Sequence, residues 1–265
     1  MEFTIKSGSP EKLKTQALVI AVFDEGKLTH TAEKLDRAAQ GRISAVLARG
    51  DLEGKAGSLL PLHDVAGVAA PRVLVVSLGK HDAFTEKAWR DAVQAVARWL
   101  AKSPATDAAV SLIDDLPEGC DSAWAAQQLA RTLTDARYSF STTKRTSAPT
   151  ETRGATRIIV HTREKAGDAL TQAIAQGEAI AEGMALSREL GNLPGNHCTP
   201  THLAETALKL GQEYKFKVTV LERKDAEKLG MGSFLSVARG SHEPPKFIVM
   251  EYKGGKAKQQ PIVLV

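Results

Sequence analysis

RELGNLPGNHCTPTHLA, Arg188 to Ala204, decides how this chain divides. Gly191, Pro194 and Gly195, with Asn192 and Asn196, make it rich in turn residues. A long helical pattern enters it, running from Glu164 to about Glu189, with Leu170, Ile174, Ala181 and Met184 on its apolar stripe. Gly177 and Gly183 lie inside that pattern, each costing about 1 kcal/mol relative to Ala. A helix that tolerates them is expected to pack closely on another element. Gly191 is placed to stop this helix, and Pro194 to prevent its continuation. Thr199-Pro200 then combines an N-cap with a proline suited to the first helical position, so a new helix is predicted there. The stretch therefore reads as a seam between two domains.

Downstream, Leu203, Ala207 and Leu210 share a helical face, with Gly211 after the last of them. Phe216–Leu221 alternates as a strand, and Asp225–Leu229 predicts a short helix ending at Gly230. Phe247–Tyr252 reads as a buried strand with a turn over Lys253–Lys256. Pro261–Val265 reads as the start of a further strand. A strand there with no covering element would leave a sheet edge and face open, so the chain is expected to be a truncated part of a longer one.

Upstream, strand and helix patterns alternate. Met1–Lys6 alternates as a strand, and Leu18–Phe23 is a short apolar run closed by Asp24-Glu25-Gly26. Thr31 to about Leu47 predicts one helix. Gly54–His63 reads as a strand-and-turn connection, and Val73–Gly79 is the strongest strand signal. Thr85 is an N-cap candidate for a helix whose Trp89, Val93, Val96 and Leu100 share one face. Ala108–Ile113 is a strand, and Asp121 can cap a helix carrying Ala125, Leu129, Leu133 and Ala136. Ser139–Thr156 reads as a surface connection, and Arg157–His161 as a strand. Such alternation predicts an α/β domain on a parallel or mixed sheet, which hosts ligands beyond its strand C-termini.

Composition narrows the function classes. The 265 residues are 43% hydrophobic, 25% charged and only 5% aromatic, which fits a globular chain with an aliphatic core. The net charge of +4 is spread over interspersed Lys, Arg, Asp and Glu, so no nucleic-acid footprint stands out. Cys120 and Cys198 stand in unrelated contexts, which predicts a reduced, cytoplasmic setting. The N-terminal residues lack the pattern of a signal peptide, and no run approaches the roughly 20 apolar residues of a membrane span.

Candidate chemistry is sparse. His197, Cys198 and His202 gather around a helix start, as a metal site or an activated thiol would, but further zinc ligands are not evident. The plainer alternative is a half-buried cysteine in a capped turn with surface histidines. The Gly79-Lys80-His81-Asp82 loop is a candidate polar crevice or a solvated turn. Gly50–Ala56 lacks the spacing, the hydroxyl residue and the preceding strand of a phosphate loop. Asp114, Asp115 and Glu118 read as a solvated turn rather than an acid/base pair. In Gly230–Leu235, Met231 and Phe234 read as packing residues.

Two stretches carry a resemblance. Arg188–Asn196, continuing through Thr199-Pro200 to Leu203-Ala204, is one. The other is Leu229–Val237 with Gly240-Ser241, Pro244-Pro245, Ile248 and Tyr252. Together they resemble the leucyl (cytosol) aminopeptidase family, specifically over about Glu182 to Val265. The resemblance implies an N-terminal α/β domain similar to a macro domain (residues 1–160), a bridging helix (161–192) and the first part of a catalytic α/β domain (193–265). It implies a hexameric, cytoplasmic metallopeptidase in which two divalent cations, manganese or zinc, activate a water against peptides with a free N-terminus. The family's metal-binding and catalytic residues begin just beyond the strand that here reaches Val265. No catalytic, cofactor-binding or metal residue is therefore assigned, and the 265-residue chain is expected to be inactive by itself and to bind no dimetal pair tightly. The alternative is a nucleotide- or nucleic-acid-binding, regulatory module built on the N-terminal domain; no membrane partner is expected.

Overall fold

A computed structural model describes residues 1–143, 153–163, 167–256 and 259–265. Residues 144–152 of the expected Ser139–Thr156 connection therefore lie outside the described residues. The chain falls into two compact units: Met1–Ser139 with Lys144–Leu186, and Phe140–Thr143 with Ser187–Val265.

The first unit is built on six strands: β1 (Glu2–Ser7), β2 (Leu18–Val22), β3 (Leu59–His63), β4 (Arg72–Ser77), β5 (Asp107–Ser111) and β6 (Arg157–Thr162). Their order is β1-β6-β5-β2-β4-β3. All neighbours are parallel except β3 and β4. Every residue of β2 is buried, as expected of a central parallel strand covered on both faces. Its side chains alternate between two cores. Val19 and Ala21 meet a cluster containing Trp89, Val93, Leu129 and Ile174. Leu18, Ile20 and Val22 meet one containing Leu35, Ile43 and Val75. At one sheet edge, β3 carries Pro61 opposite Leu74.

Helices cover both faces. The single helix expected over Thr31–Leu47 is two, α1 (His30–Ala38) and α2 (Arg42–Leu47). Gln40 and Gly41 take left-handed backbone angles between them (φ 55° and 77°). The break is stabilised by Asp36, whose carboxylate accepts from the Ser44 N–H at 3.0 Å and from the Ser44 hydroxyl. On the other face, α3 (Glu86–Lys102) buries Trp89, Val93, Val96 and Leu100, as the spacing predicts, and α4 (Ser122–Asp135) buries Ala125, Leu129 and Leu133. Thr85 and Asp121 cap them, accepting from the N–H groups of Ala88 and Trp124. The Trp89 indole N–H, wholly buried, donates to the Leu112 carbonyl at 3.1 Å.

The long helix, α5, spans Asp168–Asn192. It runs through Gly191, so that glycine is not its stop; Pro194, lacking an N–H, follows two residues after its end. Gly177 lies where α5 crosses α4: a Cβ there would overlap the Gln127 carbonyl oxygen and stand 2.9 Å from Ala130 Cβ. Among the described residues nothing lies within 4 Å of a Cβ built at Gly183, so there only Gly177 is seen to permit close packing.

In the second unit, α6 (Pro200–Tyr214) starts at the expected cap: Thr199 Oγ1 accepts from the His202 N–H at 3.2 Å. It buries Ala204, Ala207 and Gly211, while Leu203 is exposed, so the apolar face is shifted from the one expected. Gly211 lies inside the helix because its missing side chain lets Val218 and the Phe216 carbonyl approach. Strands β7 (Lys217–Leu221) and β8 (Phe247–Glu251) pair antiparallel. Between them lie α7 (Arg223–Lys228) and α8 (Gly232–Val237). Two expectations fail here. Met250 and Tyr252 are exposed rather than buried, and Pro261–Val265 forms no strand among the described residues. An apolar run forms a strand only where a neighbour supplies hydrogen-bond partners, and Ile262–Val265 are exposed.

Candidate functional site

Because β1, β6, β5, β2 and β4 run parallel, their C-terminal ends gather at one edge of the first unit's sheet. Two groups of polar residues lie there.

The first lies at the ends of β5 and β6. His161, fully buried, places Nε2 3.1 Å from the Gly8 carbonyl oxygen and Nδ1 2.8 Å from Ser111 Oγ. A carbonyl only accepts, so Nε2 carries the proton and Nδ1 takes one from the serine hydroxyl. Burial lowers the His161 pKa, which keeps the ring neutral. Ser111 is itself buried, so this serine–histidine pair ties β5, β6 and the Gly8 turn together rather than meeting a substrate. Beside it, Asp114 accepts from Thr162 Oγ1 at 3.0 Å and from the Arg163 N–H at 2.8 Å. The Asp114–Asp115 segment is thus not the solvated turn its sequence suggests. Burial raises the Asp115 pKa, opposed by the positive charge of Arg163. Nothing in the local sequence announces the contacts to Thr162 and Arg163, which lie nearly fifty residues away.

The second place is a cleft of about 480 Å³ at the ends of β2 and β4, lined by Asp24, Gly54, Lys55, Ala56, Gly79 and Lys80 among others. The Ser77 hydroxyl holds its loops together, donating to the Gly54 carbonyl at 3.2 Å and accepting from the Gly79 N–H at 3.1 Å. Asp24 N–H donates to the Gly79 carbonyl at 2.9 Å. Gly54 abuts the Asp24 carboxylate so closely that a Cβ would collide with it. Of the expected crevice loop, Gly79 and Lys80 line this cleft. His81 turns to Phe23, with ring centroids 4.8 Å apart, and bonds Asp82.

In the second unit, the His197 and Cys198 N–H groups both donate to the Pro194 carbonyl, at 2.8 and 3.0 Å. His197 is exposed, and Cys198 is a half-buried free thiol. Among the described residues, no group of three or more His, Cys, Asp and Glu side chains could hold a metal ion. The expected packing role of Phe234 is seen in its edge-to-face contact with Phe247, at 5.6 Å.

Comparison with known proteins gives these features a context. Residues 19–147 match the family model described as the cytosol aminopeptidase family, N-terminal domain. Residues 185–265 match that family's catalytic domain. A probable cytosol aminopeptidase of Aromatoleum aromaticum is 56% identical over the whole of this chain and 53% of its own length. One from an Azoarcus species is 52% identical with the same coverage. The chain thus spans about half the length of the curated relatives it matches. Among solved structures, a tomato leucine aminopeptidase mutant superposes with a TM-score of 0.75 at 24% identity, over 94% of this chain and 50% of that one. The bottromycin maturation enzyme BotP, solved in complex with Mn, superposes with a TM-score of 0.68 at 22% identity, over 90% of this chain and 45% of that one. These two likenesses concern the fold. No helix among the described residues is long and apolar enough to cross a membrane.

Proposed function

The chain belongs to the cytosol aminopeptidase family, and we propose that it supplies the N-terminal domain, the bridging helix and the first part of the catalytic domain of a metal-dependent aminopeptidase. That enzyme removes N-terminal residues, leucine among them, from peptides with a free N-terminus. The observation that carries this reading is the 56% identity, along the whole of this chain, to a probable cytosol aminopeptidase. The domain bounds we propose are residues 1–160, 161–192 and 193–265. We place the enzyme in the cytoplasm as a homo-oligomer, a hexamer in the complete assembly.

Two divalent cations, manganese or zinc, complete our reading of the enzyme. A metal pair polarises a substrate carbonyl and supplies a metal-activated water as nucleophile. The described residues do not fit such a pair, since they bring no three ligand side chains together. We assign no catalytic or metal residue among the described residues and derive no chemical step through such a pair.

Leucine amide hydrolysis, measured with manganese and with zinc, tests both halves of the proposal. The complete gene product and the 265-residue chain are assayed side by side. Activity in the former alone is expected. Failure of the complete product with either metal overturns the enzyme reading, and turnover by the 265-residue chain overturns the absence of site residues.

A further inference from the structure

The cleft at the ends of β2 and β4 has no role in that reading, yet its chemistry is selective. Ligands of open α/β sheets settle beyond the C-terminal ends of parallel strands, near the place where strand order reverses. Here β2 is that place, because the chain leaves it toward β4 and returns past it to β5. Lys55 and Lys80 line the cleft, and among the described residues neither forms an ion pair or a side-chain hydrogen bond. The backbone N–H groups of Gly54, Lys55, Ala56 and Lys80 also find no acceptor within the described protein. Two lysines and four N–H groups with no acceptor in the described protein, on loops fixed by Ser77, offer the donors that an anion with several acceptor oxygens needs. The exception is Asp24. Its carboxylate accepts from the Glu25 N–H at 2.8 Å and is pressed against Gly54, so it is held in the wall of the cleft. An anion alone would be repelled by it; a ligand with a hydroxyl beside its anionic group would donate to it.

We propose that this cleft binds a small phosphorylated molecule carrying a neighbouring hydroxyl, the phosphate on Lys55, Lys80 and the loop amides, and the hydroxyl on Asp24. Its volume of about 480 Å³ suits a small metabolite-sized ligand. The site stands apart from the peptidase reading and does not depend on it.

Amide chemical shifts of the 265-residue chain, followed by NMR while glycerol 3-phosphate is added, test the site. Glycerol, inorganic phosphate and glycerate serve as comparison probes. Saturable shifts of Gly54, Lys55, Ala56 and Lys80 with glycerol 3-phosphate are expected, weakened about fivefold by K55Q or K80Q and unchanged by K102Q. Inorganic phosphate and glycerate should bind more weakly, and glycerol should not bind. D24N should erase the preference for glycerol 3-phosphate over inorganic phosphate. Absence of saturable shifts at these amides overturns the proposal, as does an equal response in the lysine variants. Equal affinity for inorganic phosphate in the unsubstituted protein does so as well, since it removes the hydroxyl from recognition.

Discussion

Replacing Gly177 with Ala should destabilise the first unit, whereas the same change at Gly183 should stabilise it. Both positions lie inside α5, where exchanging Gly for Ala ordinarily gains about 0.5–1 kcal/mol through reduced backbone entropy of the unfolded chain. At Gly183 nothing among the described residues lies within 4 Å of the added methyl group, so that gain should appear intact. At Gly177 the methyl would overlap the Gln127 carbonyl and stand 2.9 Å from Ala130 Cβ and 3.0 Å from the Arg131 nitrogen. Two of those three neighbours are backbone atoms of α4 and cannot rotate away, so the two helices must separate. Such overpacking costs about 1–3 kcal/mol, which exceeds the helical gain. The two variants should therefore differ by about 1–3 kcal/mol, with opposite signs relative to the parent. All three tryptophans, Trp89, Trp99 and Trp124, belong to the first unit, so their fluorescence in a urea titration reports on that unit alone. Equal midpoint shifts in the same direction would refute the α4–α5 contact.

Two further outcomes follow from named contacts. The folded pKa of His161 is lowered by burial, so below about pH 6.5 the unfolded chain binds a proton that the folded one refuses. Stability from this group is complete above that pH and falls as pH drops through it, by at most about 1.4 kcal/mol per pH unit, levelling off below the folded pKa. The raised pKa of Asp115 acts with the opposite sign above the ordinary carboxylate range, so the parent must be compared with H161Q across pH 5–8; parallel profiles would contradict the assignment. At the start of α6, T199A should cost about 1 kcal/mol by removing the cap on the His202 N–H, whereas T199S should cost little; chemical denaturation followed by helical circular dichroism reads both.

The difference between what was legible and what was not follows from the range of the interactions. Thr85, Asp121 and Thr199 were readable as caps because their side chains bond amides three residues ahead. The run Leu18–Val22 announced a central strand because burial on both faces removes every polar residue from it. The Gln40–Gly41 break was harder to see, since it depends on Asp36 reaching forward to Ser44. Asp114 looked solvated because its partners Thr162 and Arg163 come from the next strand and beyond. The cleft is half visible in the sequence: the Gly79-Lys80 loop stands out as a polar crevice, but Gly54–Ala56 fits no phosphate loop and reads only as part of a strand-and-turn connection. It reaches the cleft only because β3 folds back along β4, carrying its preceding loop to the Ser77 end.

Pro61 has a consequence for how molecules of this protein meet. In the β3–β4 ladder, Ser77 donates to the Ser58 carbonyl and Asp64 donates to that of Pro71, which makes the even-numbered residues of β3 the ones bonded inward. Pro61, between them, faces outward with no N–H to offer. A strand from another chain that tried to extend the sheet along β3 would meet a missing donor at the middle of a five-residue edge. The edge thus resists sheet-to-sheet polymerisation in any concentrated or partly unfolded population of the protein, a safeguard that exchanging Pro61 for a β-branched residue would remove.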